Sequence, residues 1–237
     1  IFRGDAENAN RILAWRFGDQ ALQRSMAVTR QVRDDGRYVD NQGNVLDRDR
    51  WEAVMSDAIS GSQRDDQLAF WLQDDAGPLL ARLADQADDN PYQELQEMPF
   101  FSAIHCTDNS EPYGWQTLDP EDAAFQGAGA LLLANSFNTC ADWPYPRQPI
   151  ASYGAGEIKL PDDARALVLG AEYDPNTPFA GARQMQAAFG SAARMVQVAQ
   201  SNQHGQLNSS RCAQAALSTL LLGDGASLPA EQRCLAD

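Results

Sequence analysis

The segment from Ala166 to Gly223 constrains the fold more than any other part of this chain. Short apolar runs alternate there with helical patterns. Ala166-Leu-Val-Leu-Gly170, bounded by Pro161 and Gly170, reads as a buried strand. Glu172-Tyr-Asp-Pro-Asn-Thr-Pro178 has the composition of a turn. The spacing predicts a helix over 178–189, with Thr177 as its N-cap. Arg194-Met-Val-Gln-Val-Ala199 alternates and reads as a second strand. Ser201-Asn-Gln-His-Gly205 is a loop, and 211–222 is a helix ending at Gly223. Strand–helix–strand–helix order implies a parallel pair with helical cover, because parallel neighbours need a crossover connection. The expected class is α/β.

Two polar residues fall at telling places on this scheme. Asp174 sits just past the carboxyl end of the first strand, and His204 just past that of the second. Catalytic groups of open parallel sheets gather at that edge. A carboxylate beside an imidazole fixes the ring's tautomer and stabilises its protonated form, so the histidine can act as a general base near neutral pH. Two plainer readings stand beside this one. Asp174 could bond only the backbone of its own turn, and His204 could be an ordinary loop histidine.

The rest of the chain reads differently. Helices are expected over 5–33, with Asp5 capping the start and Gly18-Asp19 breaking the run so that Asp19 caps a second helix. Asp34-Asp35-Gly36 ends it, and 38–46 reads as a small hairpin or loop. Further helices are expected at 50–59 behind Asp47, and near 64–75, 78–88 and 120–135. Residues 1–122 hold 24 acids and 11 bases, whereas 123–237 hold 9 and 7. Asymmetry of this size suggests two modules: a mainly helical cap or lid region over 1–145, and an α/β region over 146–237. Paired aspartates such as Asp34-Asp35 are most simply solvated helix ends. Across 237 residues the net charge is −15, which argues against nucleic acid, because a phosphate backbone needs a basic face. No apolar run approaches the roughly 20 residues that span a bilayer, so no membrane span is expected.

At the landmarks above the chain resembles a family. Leu-Gly-Ala-Glu-Tyr-Asp-Pro-Asn-Thr-Pro, then Ala-Arg-Gln-Met and Gln-His-Gly, look like the end of an α/β-hydrolase. More narrowly, they resemble the C-terminal, TAP-like part of tripeptidyl-aminopeptidase-type serine hydrolases. Ala-Ile-His-Cys-Thr-Asp at 103–108, Cys-Ala-Asp-Trp-Pro at 140–144 and Arg-Cys…Cys at 211–234 belong to the same resemblance. It implies that Asp174 and His204 are the acid and base of a Ser-Asp-His triad. It puts 140–144 near the substrate side. Four cysteines allow three pairings, among which sequence alone does not choose. The resemblance implies Cys106–Cys140 and Cys212–Cys234, and disulfides imply an exported protein, periplasmic or secreted.

One part of the triad has no place in these residues. The fold carries its nucleophile on a Gly-x-Ser-x-Gly elbow ahead of the acid and histidine, and no such motif occurs here. Ile150-Ala-Ser-Tyr-Gly154 offers Ser152 in the right chain order. Its −2 position is Ile150, the preceding stretch is rich in proline, and Asp174 follows too soon for a helix and another strand. The oxyanion donors would also lie upstream. Ile1 opens the chain without a leader pattern, and the expectation is the C-terminal portion of a hydrolase completed by a missing N-terminal half, inactive alone. Such a portion should expose apolar sheet edge when expressed alone. The substrate would be a peptide or a small ester. Two alternatives are kept: an esterase or lipase-like hydrolase on the same fold, and a truncated hydrolase acting as a binding module. His105 beside Cys106 lacks the spaced partners of a metal site, so neither metal nor cofactor is expected.

Overall fold

The computed structural model describes residues 2–40, 43, 45–60, 107, 153–205, 207, 209–223 and 225–237. The chain divides into two compact units, Ile1–Ile150 and Ala151–Asp237. The helices expected near 64–75, 78–88 and 120–135 lie outside the described residues, as do His105, Cys106, Cys140, Trp143 and Ser152.

In the first unit, α1 (Phe2–Phe17) and α2 (Asp19–Asp35) are separated by Gly18, whose φ of 94° suits a residue without Cβ. The two caps assigned from sequence are corrected here. Helix α1 begins at Phe2, so Asp5 lies inside it. The N-cap of α2 is Gly18, and Asp19 is the first helical residue, where its carboxylate faces the positive end of the helix dipole. Gly36 in the left-handed conformation ends α2, with Asp34 and Asp35 exposed beside it. Strands β1 (Arg37–Val39) and β2 (Val45–Asp47) form an antiparallel hairpin with Tyr38 opposite Leu46. Helix α3 (Arg48–Ser60) follows directly, and the Asp47 carboxylate accepts the Arg50 N–H at 3.0 Å.

The apolar faces of these helices meet in a core of Ile12, Leu13, Leu46, Trp51, Met55 and Ile59, all fully buried. Trp51 brings a polar group into that core, and its Nε1–H donates to the Thr29 hydroxyl at 2.9 Å. Thr29→Val keeps the shape but strands the indole N–H. It is expected to destabilise this unit by about 1–3 kcal/mol, read as a lower urea midpoint by tryptophan fluorescence.

The second unit is a three-stranded parallel sheet in the order β3 (Ala166–Ala171), β4 (Ala193–Ala199), β5 (Glu231–Leu235). Ala166 pairs with Ala193 and Ala171 with Val198; Met195 pairs with Glu231 and Ala199 with Leu235. Strand β5 adds to the two expected from sequence. Its Glu-Gln-Arg-Cys-Leu sequence carries no apolar run, and only Cys234 is buried.

The pleat sends alternate side chains to opposite faces, and each face has its own helix. Val168, Ala193 and Met195 pack against Phe179 and Ala182 of α4 (Phe179–Phe189). Leu167, Leu169, Val196, Val198 and Cys234 pack against Ala213 and Ala216 of α5 (Arg211–Leu222). Gly170 lets α4 approach closely, since a Cβ there would meet the Phe179 ring at 2.8 Å and Ala182 at 2.9 Å. Among the described residues, no helix is long and apolar enough to cross a membrane.

A surface pair links α4 to β5. Arg183 stands over the Phe179 ring and donates to the Glu231 carboxylate. That hydrogen bond, with the guanidinium charge, holds Glu231 below its ordinary carboxylate pKa. A depressed carboxylate stabilises the fold above its unfolded pKa, and the gain is lost as pH falls through the folded value. The pair is exposed, so its contribution is small. Glu231→Gln is expected to lower the urea midpoint slightly at neutral pH, the difference from the parent vanishing in acid.

Candidate functional site

The loops beyond β3 and β4 are tied side by side. The Glu172 N–H donates to the Val198 carbonyl and the Tyr173 N–H to the Ser201 carbonyl, each at 2.9 Å. The Glu172 carboxylate accepts the Gln200 N–H at 3.1 Å and faces the Arg233 guanidinium of β5 at 3.8 Å. Gln200 has a φ of 54°, the one non-glycine residue with positive φ among those described. These bonds fix where the two chain ends leave the sheet. They bring Asp174, three residues past β3, beside the loop that carries His204.

Asp174 is buried, and its carboxylate is surrounded by donors. Oδ1 accepts the backbone N–H groups of Asn176 and Thr177, each at 2.9 Å, and Oδ2 accepts the Thr177 hydroxyl at 2.8 Å. His204 Nδ1 lies 3.1 Å from Oδ2 and 3.3 Å from Oδ1. Asp174 thus bonds its own turn and meets the histidine as well. A carboxylate that is ionised only accepts, so in that state a hydrogen bond here takes its hydrogen from Nδ1. The exposures are unequal. The Asp174 side chain is 4% exposed and the His204 side chain 56%. A buried carboxylate thus holds one edge of a ring whose body reaches solvent.

Thr177 takes a different place from the expected one. The N-cap of α4 is Pro178, with no side-chain capping bond, and the Thr177 hydroxyl turns back to Asp174 instead. Proline fixes the entry to the helix, and the nearby carboxylate is a stronger acceptor partner for the hydroxyl.

The far side of the histidine loop is anchored to β5. Ser210 caps α5, accepting from the Ala213 N–H at 3.4 Å and donating to the Leu235 carbonyl at 2.9 Å. The Arg211 N–H donates to Asp237 at 2.7 Å, and the Asp237 N–H to the Ser209 carbonyl at 3.0 Å. The Cys212–Cys234 disulfide joins the same two elements, with Cα atoms 5.7 Å apart. Sequence reasoning placed Asp174 and His204 past the ends of the two strands, where they lie. It missed Glu172, because an acid beside a turn carries no pattern of its own. Thr177 was signalled, through Asp-Pro-Asn-Thr as a turn, but for another role. Among the described residues, no group of three or more His, Cys, Asp or Glu side chains is placed to hold a metal.

A parallel sheet covered by helices on both faces, with acid and histidine at adjacent strand ends, is the C-terminal portion of an α/β-hydrolase fold. Residues 126–234 match the family model described as TAP-like protein, which supports an α/β-hydrolase of the TAP-like kind over that segment. No curated protein matches the chain.

Proposed function

We propose that Asp174 and His204 are the acid and base of a Ser-Asp-His triad whose serine lies outside these 237 residues. The enzyme they complete is an exported hydrolase that releases short peptides from free N-termini. The observation that carries the reading is the 3.1 Å contact between His204 Nδ1 and Asp174 at neighbouring strand ends. The chemistry follows from that contact. His204 Nε2 takes the proton of the serine hydroxyl as its oxygen bonds to the scissile carbonyl carbon. The ring then gives this proton to the leaving amine as the carbon–nitrogen bond breaks. Water repeats the cycle and releases the acyl group, with Asp174 stabilising the imidazolium each time.

Substrate and location rest on further features. The resemblance to tripeptidyl-aminopeptidase-type hydrolases supports a peptide substrate. The acidic balance of residues 1–122, 24 acids against 11 bases, suits a protonated amino terminus. Residues 1–145 are assigned as the cap region and 146–237 as the core portion bearing acid and base. The Cys212–Cys234 disulfide supports an oxidising compartment.

Fluorophosphonate labelling of native source extract, with mass spectrometry of the labelled species, tests the reading. The expected result is label on a larger chain containing this sequence, or on a co-purifying partner. A chain that occurs alone at 25.9 kDa and takes no label would overturn it. A labelled protein that cleaves esters but not peptides with free N-termini would keep the triad and remove the peptidase.

A further inference from the structure

We propose that Thr177 is a positioning residue: its hydroxyl, donated to the Asp174 carboxylate, presents only lone pairs to His204 Nδ1 and so favours the ring tautomer with hydrogen on that nitrogen. The proposal rests on the acid–base reading of that pair.

Both oxygens of that carboxylate accept hydrogen bonds from the turn. Two backbone N–H groups, from Asn176 and Thr177, converge on Oδ1 at 2.9 Å. Both act on one oxygen. A carboxylate is planar, so these two bonds already set where both oxygens lie. The Thr177 hydroxyl donates to Oδ2 at 2.8 Å. A single residue therefore straddles the carboxylate, its backbone N–H on one oxygen and its side chain on the other. Threonine suits this task because β-branching restricts χ1 and holds the hydroxyl in place.

The same hydroxyl reaches the histidine. Thr177 Oγ1 lies 3.3 Å from His204 Nδ1, on the ring edge that also faces Oδ2 at 3.1 Å. With its own hydrogen given to Asp174, the hydroxyl oxygen has lone pairs but no hydrogen to offer the ring. It can only accept from Nδ1. Among the described residues, every atom placed within hydrogen-bond reach of Nδ1 is then an acceptor: Oδ1, Oδ2 and Oγ1. That arrangement selects the tautomer with hydrogen on Nδ1 and leaves Nε2 as the proton acceptor. A turn-forming role alone would not require the hydroxyl, since the backbone donors already close the turn on Oδ1. A capping role is filled otherwise, because Pro178 is the N-cap of α4 with no side-chain bond.

The test is spectroscopic and uses the full chain labelled with 15N at histidine. Two histidines are present, and His105→Asn leaves the His204 signals alone. Two-bond proton–nitrogen correlations on the neutral ring report which nitrogen is protonated. The parent and Thr177→Ser should both show hydrogen on Nδ1. Thr177→Val keeps the shape, lacks the hydroxyl, and should raise the ratio of the Nε2–H to the Nδ1–H form by about fivefold to tenfold, the worth of one neutral hydrogen bond. Thr177→Ala reads the same loss should valine disturb the turn. Asp174→Asn is the control, since an amide in place of the acid favours the wrong tautomer. If the valine and alanine variants match the parent while Asp174→Asn shifts the ring, the role of Thr177 is overturned and the Asp174–His204 reading stands. If Asp174→Asn also leaves the ring unchanged, the acid–base reading falls with it.

Discussion

Asp174→Asn and His204→Ala are each expected to slow fluorophosphonate labelling of the completed enzyme by about 10³–10⁴-fold. The effect is large because members of a triad act as a unit. Without His204 the serine keeps its proton, and without the Asp174 carboxylate the ring takes the wrong tautomer. The double variant should therefore be little worse than either single one, and that non-additivity is the diagnostic result. Folding should be nearly intact in His204→Ala, since the His204 side chain is 56% exposed and buries little. Asp174 is different. Its carboxylate satisfies two backbone N–H groups and a hydroxyl inside the turn, so asparagine, which keeps an acceptor oxygen, is the informative substitution. Labelling rates for the parent, both single variants and the double variant, with melting curves for each, check the prediction. Parent-like labelling by His204→Ala would exclude the histidine as the base.

The legible parts of this chain were those governed by local rules. Residues 166–170 are an apolar run, as a strand buried between two helical layers must be, and 194–199 alternate with Met195, Val196 and Val198 facing those layers, so both strands could be read directly. Asp174 and His204 then fell just past the carboxyl ends of adjacent strands by topology alone. Strand β5 was illegible for a physical reason. It lies at the end of the strand order and buries only Cys234, so it carries little of the apolar pattern by which strands are recognised. The helix caps failed for a related reason. A capping side chain is one solution to the open N–H groups of a helix start, and Gly18 and Pro178 use backbone geometry instead. The bracket formed by Glu172, Gln200 and Arg233 joins residues from three separate stretches, and no local pattern announces such a meeting.

That bracket bears on what the disulfide does. Removing the Cys212–Cys234 link with a double alanine variant is expected to destabilise the second unit by about 3 kcal/mol, from the loop entropy returned to the unfolded chain. The bond closes a 22-residue separation between the first turn of α5 and the last strand. Its loss should appear as faster amide hydrogen exchange in β5 and in the first turn of α5. The acid–histidine contact should change far less. Asp174 and the start of the His204 loop are held together by the Glu172, Tyr173 and Gln200 backbone bonds, which involve neither cysteine. Ser210 and Asp237 still bind β5 to the helix start when the sulfurs are gone. The variant should therefore combine a large drop in stability with labelling within about tenfold of the parent, the effect of local loosening rather than a lost catalytic group. Labelling as slow as that of His204→Ala would mean that the disulfide itself sets the histidine. Unchanged exchange in β5 would mean that the polar clasp alone holds the strand.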